Sequence, residues 1–324
     1  MDRERPRMRI PYIVITIGLV LITGWLVSRK RELKASTHQR YRRIVDNLLI
    51  PKFGKTMLAS WKRKDVKEWL AGFNCTNKRL TNVQNVIRKA LADAVDSELI
   101  DDNFIVGWSY KIKEAPRLEN DIDPFSREEQ IAILAKCSPS MANQVQFSFW
   151  TGLRTSELVA LDWADIDFVR SKIMVRKAMT SAAKGKIEDT KTASGKREVK
   201  ILAPAMRALK AQKPHTFLAG DPVFRNPNTG ERWTGDQQIR EAWVRALKLA
   251  GVRYRYPYQT RHTYASMLLS AGEHPMWVAK QMGHADWTMI SRIYGRWMPS
   301  ADTDAGGKAE ALFGVAEPAA SKVS

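Results

Sequence analysis

A mainly helical fold with one small antiparallel β-sheet, divided into two domains, is what this 324-residue sequence predicts. Three observations lead there. Apolar residues recur at helical spacing from Lys34 to Val95. Pro116, Asn120 and Pro124 then interrupt the pattern. Beyond them, helical stretches surround a few short runs of strand texture between Ile166 and Leu202. The boundaries that follow are an apolar segment over 1–33, a helical domain over 34–115, a linker over 116–125, an α+β domain over 126–299 and a tail over 300–324.

The first segment contains the uncharged run Ile10 to Val27, flanked by Arg7 and Arg9 before it and Arg29, Lys30 and Arg31 after it. Its length is near the lower limit of ~17–25 residues for a membrane-spanning helix. Three readings stay open: an N-terminal membrane anchor, a buried apolar element packed on the protein, or an atypical or truncated start replacing a usual N-terminal domain.

In the helical domain, Ser36 or Thr37 is placed to cap a helix with Tyr41, Ile44, Val45, Leu48 and Leu49 on one face, ended by Pro51 and Gly54. A second helix carries Val66, Trp69 and Leu70, and a longer third one carries Leu80, Val83, Val86, Ile87, Leu91 and Val95. Such stripes are core. The opposite faces hold Arg40, Arg42, Arg43, Arg79, Arg88 and Lys89, which are candidates for DNA phosphates. Contacts of that kind set affinity and salt dependence, not sequence preference.

The α+β domain opens with a capping box, Ser126 with Glu129. Its next helix holds Val145, Phe147 and Trp150 and delivers the chain into a Thr151-Gly152 turn that presents Arg154. Strands are expected at Ile166 to Phe168, Lys172 to Val175 and Arg197 to Leu202, the last preceded by a Ser194-Gly195 turn. Helices return from Pro204, Gln237 and Thr260.

Composition narrows the partner. Lys and Arg number 53 against 34 Asp and Glu, a formal charge of +19 that suits a polyanion such as nucleic acid. Cys75 and Cys137 are the two cysteines and have no ligand or disulfide spacing, which fits a reducing cytosolic compartment. Neither the five histidines nor the carboxylates form a metal-ligand pattern, so chemistry without metal or cofactor is the simpler expectation.

The chemistry is carried by Arg154 in Thr151-Gly152-Leu153-Arg154-Thr155-Ser156-Glu157-Leu158, Arg261 in Tyr258-Gln259-Thr260-Arg261-His262-Thr263, Gly283-His284, and Tyr294. Two guanidiniums can hold a phosphate by paired hydrogen bonds, a histidine can hold a further oxygen, and a tyrosine can attack phosphorus without a metal. Four of five motif elements, in order, resemble the tyrosine recombinase (phage integrase) family over roughly Lys34 to Met298. That resemblance implies a helical core DNA-binding domain followed by a catalytic domain. It implies Tyr294 as the nucleophile, leaving a 3′-phosphotyrosyl bond, with Arg154, Arg261 and His284 around the phosphate. It also implies a hairpin lysine that protonates the departing 5′ oxygen, best matched by Lys191 in Thr190-Lys191-Thr192, with Lys184, Lys186 and Lys196 as neighbouring registers. Glu157 reads either as orienting an arginine or histidine of the site or as an ordinary helix N-terminal carboxylate. His262 reads as structural.

One position departs from the family pattern. Tyr258 stands where the histidine of H-x-x-R is usual, and the His284-to-Tyr294 interval is one residue longer than the commonest spacing. A phenol donates one hydrogen bond but does not become a cation near neutral pH. Tyr258 is therefore expected to be a tolerated donor substitute.

The resemblance implies a site-specific recombinase that assembles as a homotetramer on paired double-stranded DNA attachment sites and exchanges strands through a Holliday junction. Integration or excision of a prophage or genomic island is the expected setting, in the cytoplasm at the nucleoid, with a DNA-bending or directionality protein as a further partner. Three rivals are carried forward: type IB topoisomerase-like relaxation, a DNA-binding protein with impaired catalysis, and a basic membrane-associated protein.

Overall fold

The computed structural model describes residues 16–17, 20–113, 122–183, 185–189, 195–298 and 312–313. The chain divides into two compact units, Met1–Glu119 and Asn120–Ser324.

The first unit is helical. Its principal helices are α1 (Ala35–Ile44), α2 (Arg63–Ala71) and α3 (Asn77–Asp96). Helix α1 starts after the extended Lys34, with neither Ser36 nor Thr37 as its cap; the Thr37 N–H bonds the Lys34 carbonyl instead. Pro51 does not end the helical run. A π-helical turn over Val45–Leu49 widens the backbone just ahead of it, and Ile50–Phe53 continues as α-helix with the proline in its first turn. The widened turn relieves the clash of the proline ring with the preceding turn, so the helical run continues through a residue without an N–H. Thr76 caps α3, whose buried stripe is Leu80, Val83, Val86, Ile87, Leu91 and Ala94, with Val95 only half-buried.

Side-chain amides of α3 hold the chain that leaves the unit. Gln84 exchanges hydrogen bonds with the Tyr110 backbone at 2.9 and 2.7 Å, and Asn77 does the same with Ile112 at 2.8 Å in both directions. Each amide presents a donor and an acceptor, as a neighbouring strand would.

The described part of the N-terminal apolar segment packs into this same core. Ile17, Trp25 and Leu26 are buried, Trp25 stacks on Tyr41 at 5.4 Å, and Arg29 reaches Asp93 of α3 at 2.6 Å. Residues 10–15, 18 and 19 lie outside the described residues. No helix of the described residues is long and apolar enough to cross a membrane.

The second unit contains α4 (Arg127–Lys136), α5 (Pro139–Phe149), the single turn α6 (Thr155–Leu158), α7 (Ala203–Thr216), α8 (Asp236–Leu249), α9 (Gln259–Ser270), α10 (Pro275–Met282) and α11 (Thr288–Tyr294). The Ser126–Glu129 capping box is present at the start of α4. Between α6 and α7 an antiparallel sheet pairs β1 (Ile166–Asp167), β2 (Lys172–Val175) and β5 (Arg197–Lys200), with Ile173 opposite both Ile166 and Val199. A second antiparallel pair, β3 (Lys177–Ala178) with β4 (Glu188–Asp189), has only two residues per strand. That is too short to leave an alternation in the sequence.

Helix α9 is the centre of this unit and is buried nearly all round, from Gln259 to Leu269. Its polar positions are satisfied by the chain that enters the unit: Gln259 accepts from the Asp123 N–H at 3.1 Å, and Thr263 accepts from the Phe125 N–H at 3.0 Å. Just before α9, Arg255 grips Glu129 through two 2.8 Å bonds and Asp123 through a third. Phe125, Phe149 and Trp243 pack edge to face beside it. These contacts fix the helix that carries Arg261.

Candidate active site

Arg154 is presented by a turn that only glycine can make. Gly152 has φ +60°, and a Cβ added there would lie 2.4 Å from the buried Tyr264 ring. The chain reverses across that ring and starts α6 at Arg154, whose N–H bonds Glu157 Oε2 at 2.9 Å while its Nη1 bonds Oε1 at 2.6 Å. Glu157 is buried and takes a second guanidinium: Arg197 Nη1 and Nη2 reach its two oxygens at 3.1 and 2.9 Å. Strand period explains the arginine's direction, because Arg197 and Val199 share the buried face of β5. Burial opposes ionisation of Glu157, but Arg197 and then Arg154 outweigh it and hold the carboxyl below its ordinary range. Glu157 thus bonds both Arg154 and Arg197 as well as the N–H at the start of its own helix.

Arg261 lies at the centre. Its side chain is 1% exposed, Nη1 donates to the Gly152 carbonyl and Nη2 to the Met282 carbonyl, each at 2.5 Å. The same Nη2 lies 3.2 Å from His284 Nε2. Arginine can only donate, so His284 accepts on Nε2 and carries its proton on Nδ1. The Arg261 Nε is buried with no hydrogen-bond partner among the described residues. Burial, with Arg154 and Arg197 adding to it against Tyr258 and Glu157, lowers the Arg261 pKa to about 10. It remains a cation at neutral pH.

His284 follows the left-handed Gly283 (φ +67°), which ends α10 and turns the imidazole back toward Arg261. Burial first, and then the charges of Arg261, Arg154 and Arg197, push His284 down to about 4.

Tyr294 ends α11 with its ring buried, and its hydroxyl lies 2.7 Å from His262 Nδ1. Burial raises the phenol's pKa, with Arg261 opposing and Tyr258 and Tyr256 reinforcing the rise. Burial and Arg261 together lower His262 to about 4. Tyr258 packs edge-on against the His262 ring at 5.1 Å, stacks with Tyr256 at 6.5 Å, and lies under the Arg261 guanidinium at 6.0 Å. Its hydroxyl is not within the Tyr294–His262 hydrogen bond. His262 is the residue that motif reading passes over. Its signal is its spacing, because Tyr258, Arg261 and His262 stand at i, i+3 and i+4 and so share one helical face.

Arg261, His284, Glu157, Arg154, Tyr258 and Tyr294 therefore belong to one connected neighbourhood, but they open in two directions. Arg154 and Tyr258 line a cleft of about 660 Å³ with Arg240, Tyr254 and Tyr256. His284 and Arg197 line another of about 810 Å³ with Lys196, His274 and Lys280. Lys191 lies outside the described residues, on the segment between β4 and β5.

In the first unit, Arg40, Arg42, Arg43, Arg79 and Lys89 are exposed. Arg42 pairs with Asp46 at 3.3 Å, and Arg40 and Lys89 both lie over the Tyr41 ring. Arg88 is different. It is half-buried and donates to Asn85 at 2.7 Å and to the Trp108 carbonyl at 3.0 Å, so its guanidinium is already engaged within the fold.

Residues 124–299 match the phage integrase family. The chain is 30% identical over 325 aligned residues to IntQ of Escherichia coli strain K12, a protein whose name calls it defective, covering 86% of this chain and 79% of that one. Among solved structures, the Tn1549 transposon integrase in complex with a circular intermediate DNA superposes with a TM-score of 0.70 at 20% identity, over 92% of this chain and 99% of that one. A lambda integrase tetramer bound to a Holliday junction superposes with a TM-score of 0.64 at 15% identity, over 90% and 80%.

Proposed function

This chain belongs to the phage integrase family, the site-specific tyrosine recombinases, and from that premise we propose that it cuts and rejoins double-stranded DNA at attachment sites through a 3′-phosphotyrosyl bond to Tyr294. The observation that carries the reading is Arg261. It is held by two backbone carbonyls, touches His284, and acts electrostatically on the Tyr294 phenol from the centre of the unit.

In this reading Arg154 and Arg261 hold the nonbridging oxygens and stabilise the extra negative charge of the pentavalent phosphorus. The Arg261 Nε, without a partner among the described residues, is a donor available to the phosphate. His284 donates its Nδ1–H to the same phosphate. Glu157, itself held by Arg197, keeps Arg154 in place. Lys191 supplies a proton to the departing 5′ oxygen. The phosphotyrosyl bond retains the energy of the broken linkage, so rejoining needs no ATP. Tyr258 is a packing and donor substitute at the usual histidine position, and its removal slows cleavage modestly.

The exposed Arg40, Arg42, Arg43, Arg79 and Lys89 serve as phosphate contacts of the helical unit. Four protomers on paired sites, with exchange through a Holliday junction, complete the proposal. The lambda integrase tetramer on such a junction supports that assembly by shared fold. The setting is integration or excision of a prophage or genomic island in the bacterial cytoplasm, with a DNA-bending or directionality protein as an accessory.

The test is a nicked suicide duplex carrying the junction sequence that flanks the element encoding the chain. Wild type should give a denaturation-resistant protein–DNA adduct, and Tyr294→Phe should bind the same duplex and give none. An adduct retained in Tyr294→Phe, or absent from wild type, overturns the assignment.

A further inference from the structure

The hydrogen bond between Tyr294 and His262 links the proposed nucleophile to a group that none of the recognised motif positions includes. The two side chains come from different helices, α11 and α9, and are 32 residues apart. The contact is short, at 2.7 Å between Oη and Nδ1, and Tyr294 has no other hydrogen-bond partner among the described residues. A buried phenol placed against an imidazole nitrogen donates its proton when that nitrogen is bare. The surroundings keep the imidazole neutral: burial comes first, with the Tyr258 ring on one edge and Tyr294 on the other side, and Arg261 on the same helix adds a positive charge. A neutral imidazole carries one proton, and in the tautomer that holds it on Nε2 the Nδ1 atom is bare and accepts from the phenol.

We infer that His262 is a catalytic residue that takes the Tyr294 proton as the phenol oxygen bonds to phosphorus and returns it when the DNA is rejoined. The inference rests on Tyr294 being the nucleophile. In cleavage, the Tyr294 Oη–H bond breaks, its proton goes to His262 Nδ1, and the oxygen's electron pair forms the bond to phosphorus. The bond from phosphorus to the 5′ oxygen breaks, and that oxygen takes a separate proton from the general acid, which the proposal above places at Lys191. In rejoining, the 5′ hydroxyl attacks phosphorus and returns its proton to that same general acid, the bond from phosphorus to the phenol oxygen breaks, and His262 hands its proton back to that oxygen. No oxidant, metal or second substrate enters the balance.

Two physical points make an acceptor necessary here. Burial disfavours the free phenolate, so Tyr294 does not wait in ionised form. Attack by a neutral phenol would leave a positively charged oxygen bonded to phosphorus unless its proton moved as the bond formed. A general base in hydrogen-bond reach contributes about 10²–10⁴-fold to such a step. Helical spacing gives the local explanation. Tyr258, the N-cap of α9, stands four residues before His262, so the ring that replaces the family's histidine packs on the imidazole that meets the nucleophile.

The experiment is single-turnover cleavage of the nicked suicide duplex between pH 6.5 and 9, using wild type, His262→Phe and His262→Asn, each with tyrosine or a ring-fluorinated, more acidic tyrosine at position 294. Phe keeps an aromatic ring between Tyr258 and Tyr294, and Asn keeps a polar side chain should Phe fail to fold. The expected result is cleavage slowed on the order of 10²-fold or more in either variant. The variants should also show a rate that climbs about tenfold per pH unit where wild type is flat, and a recovery of at least tenfold with the fluorinated ring. Unchanged cleavage in a folded variant overturns the inference. So does slow cleavage that neither pH nor fluorination restores, because a misplaced ring is not corrected by a more acidic phenol. Failure of the Tyr294 reading is separately visible as an adduct that survives Tyr294→Phe.

Discussion

Arg197 and Glu157, 40 residues apart, form a two-pronged ion pair in the interior of the catalytic unit, with guanidinium-to-carboxylate distances of 3.1 and 2.9 Å. Their exposures are 5% and 3%, and Glu157 also holds Arg154. This pair joins the sheet to the turn that presents Arg154, so it connects fold stability to site geometry.

Glu157→Gln should therefore cost about 3–5 kcal/mol, because Arg197 is left buried without a countercharge. The acid dependence has a definite sign. Burial resists ionisation of Glu157, yet Arg197 and Arg154 hold its folded-state pKa below the unfolded value of about 4.3. The stabilisation is thus full above that pH and is lost as pH falls through the lower, folded value. Urea unfolding at steps from pH 7 to pH 3 should show wild type losing its advantage over Glu157→Gln in the acid range. An advantage that stayed constant throughout would show that the carboxylate's charge is not what matters.

Gly152→Ala combines two penalties. The position has φ +60°, and the new methyl would lie 2.4 Å from the Tyr264 ring, which is itself fully buried. Gly251 has a similar φ of +66° with nothing within 4 Å, so Gly251→Ala isolates the backbone cost of about 1–2 kcal/mol. Gly152→Ala should exceed that control by at least about 1–3 kcal/mol from overpacking. It should also reduce cleavage more than DNA affinity, since the Gly152 carbonyl holds Arg261. Equal melting temperatures for the two variants would refute the account.

The helical framework and the strands of the main sheet were legible because each rests on local pattern. Apolar spacing marked α3, the Ser126–Glu129 box marked α4, and strand texture, with a Ser194-Gly195 turn before the last run, marked β2 and β5. Arg154, Arg261, His284 and Tyr294 stand out as motif members, and packing sets Arg261 against His284 and Tyr294 against His262. What stayed hidden depends on distant partners. Nothing near Arg197 announces that its strand face meets Glu157, and nothing near His262 announces Tyr294. Pro51 looked like a helix end because the π-turn that accommodates it has no sequence signature of its own. The apolar N-terminal run looked separate because Tyr41, on which Trp25 stacks, follows only after the basic stretch.

The basic residues of the helical unit should separate into two kinds. Arg88 donates to Asn85 and to the Trp108 carbonyl, so Arg88→Ala should destabilise the unit by about 1–3 kcal/mol, as hydrogen bonds to a charged group typically do. Arg43 and Arg79 are exposed, and their alanine variants should melt like wild type while binding DNA less tightly. If each contacts one phosphate, the slope of log affinity against log salt should become shallower by about 0.9 per variant. Measuring that slope by fluorescence anisotropy on an attachment-site duplex decides the matter. A slope unchanged in both variants would remove them from the interface.

The two site histidines give the chain a second acid sensitivity, over a higher pH range. Burial first, then Arg261, lowers both His262 and His284 to about 4, whereas an unfolded histidine titrates near 6.5. Between those values the unfolded chain binds protons that the folded chain refuses, so stability declines as pH falls from about 6.5 toward 4 and is unaffected above that range. His284→Gln keeps polar groups beside Arg261 but does not titrate, and it should flatten part of this decline. DNA reverses the sign of the local charge. A phosphate beside His284 raises its proton affinity from about 4, so binding should take up protons on the acid side of neutrality. Calorimetry in two buffers of different ionisation enthalpy should register that uptake for wild type and a smaller one for His284→Gln. Identical uptake in the two proteins would mean that the phosphate does not sit against His284.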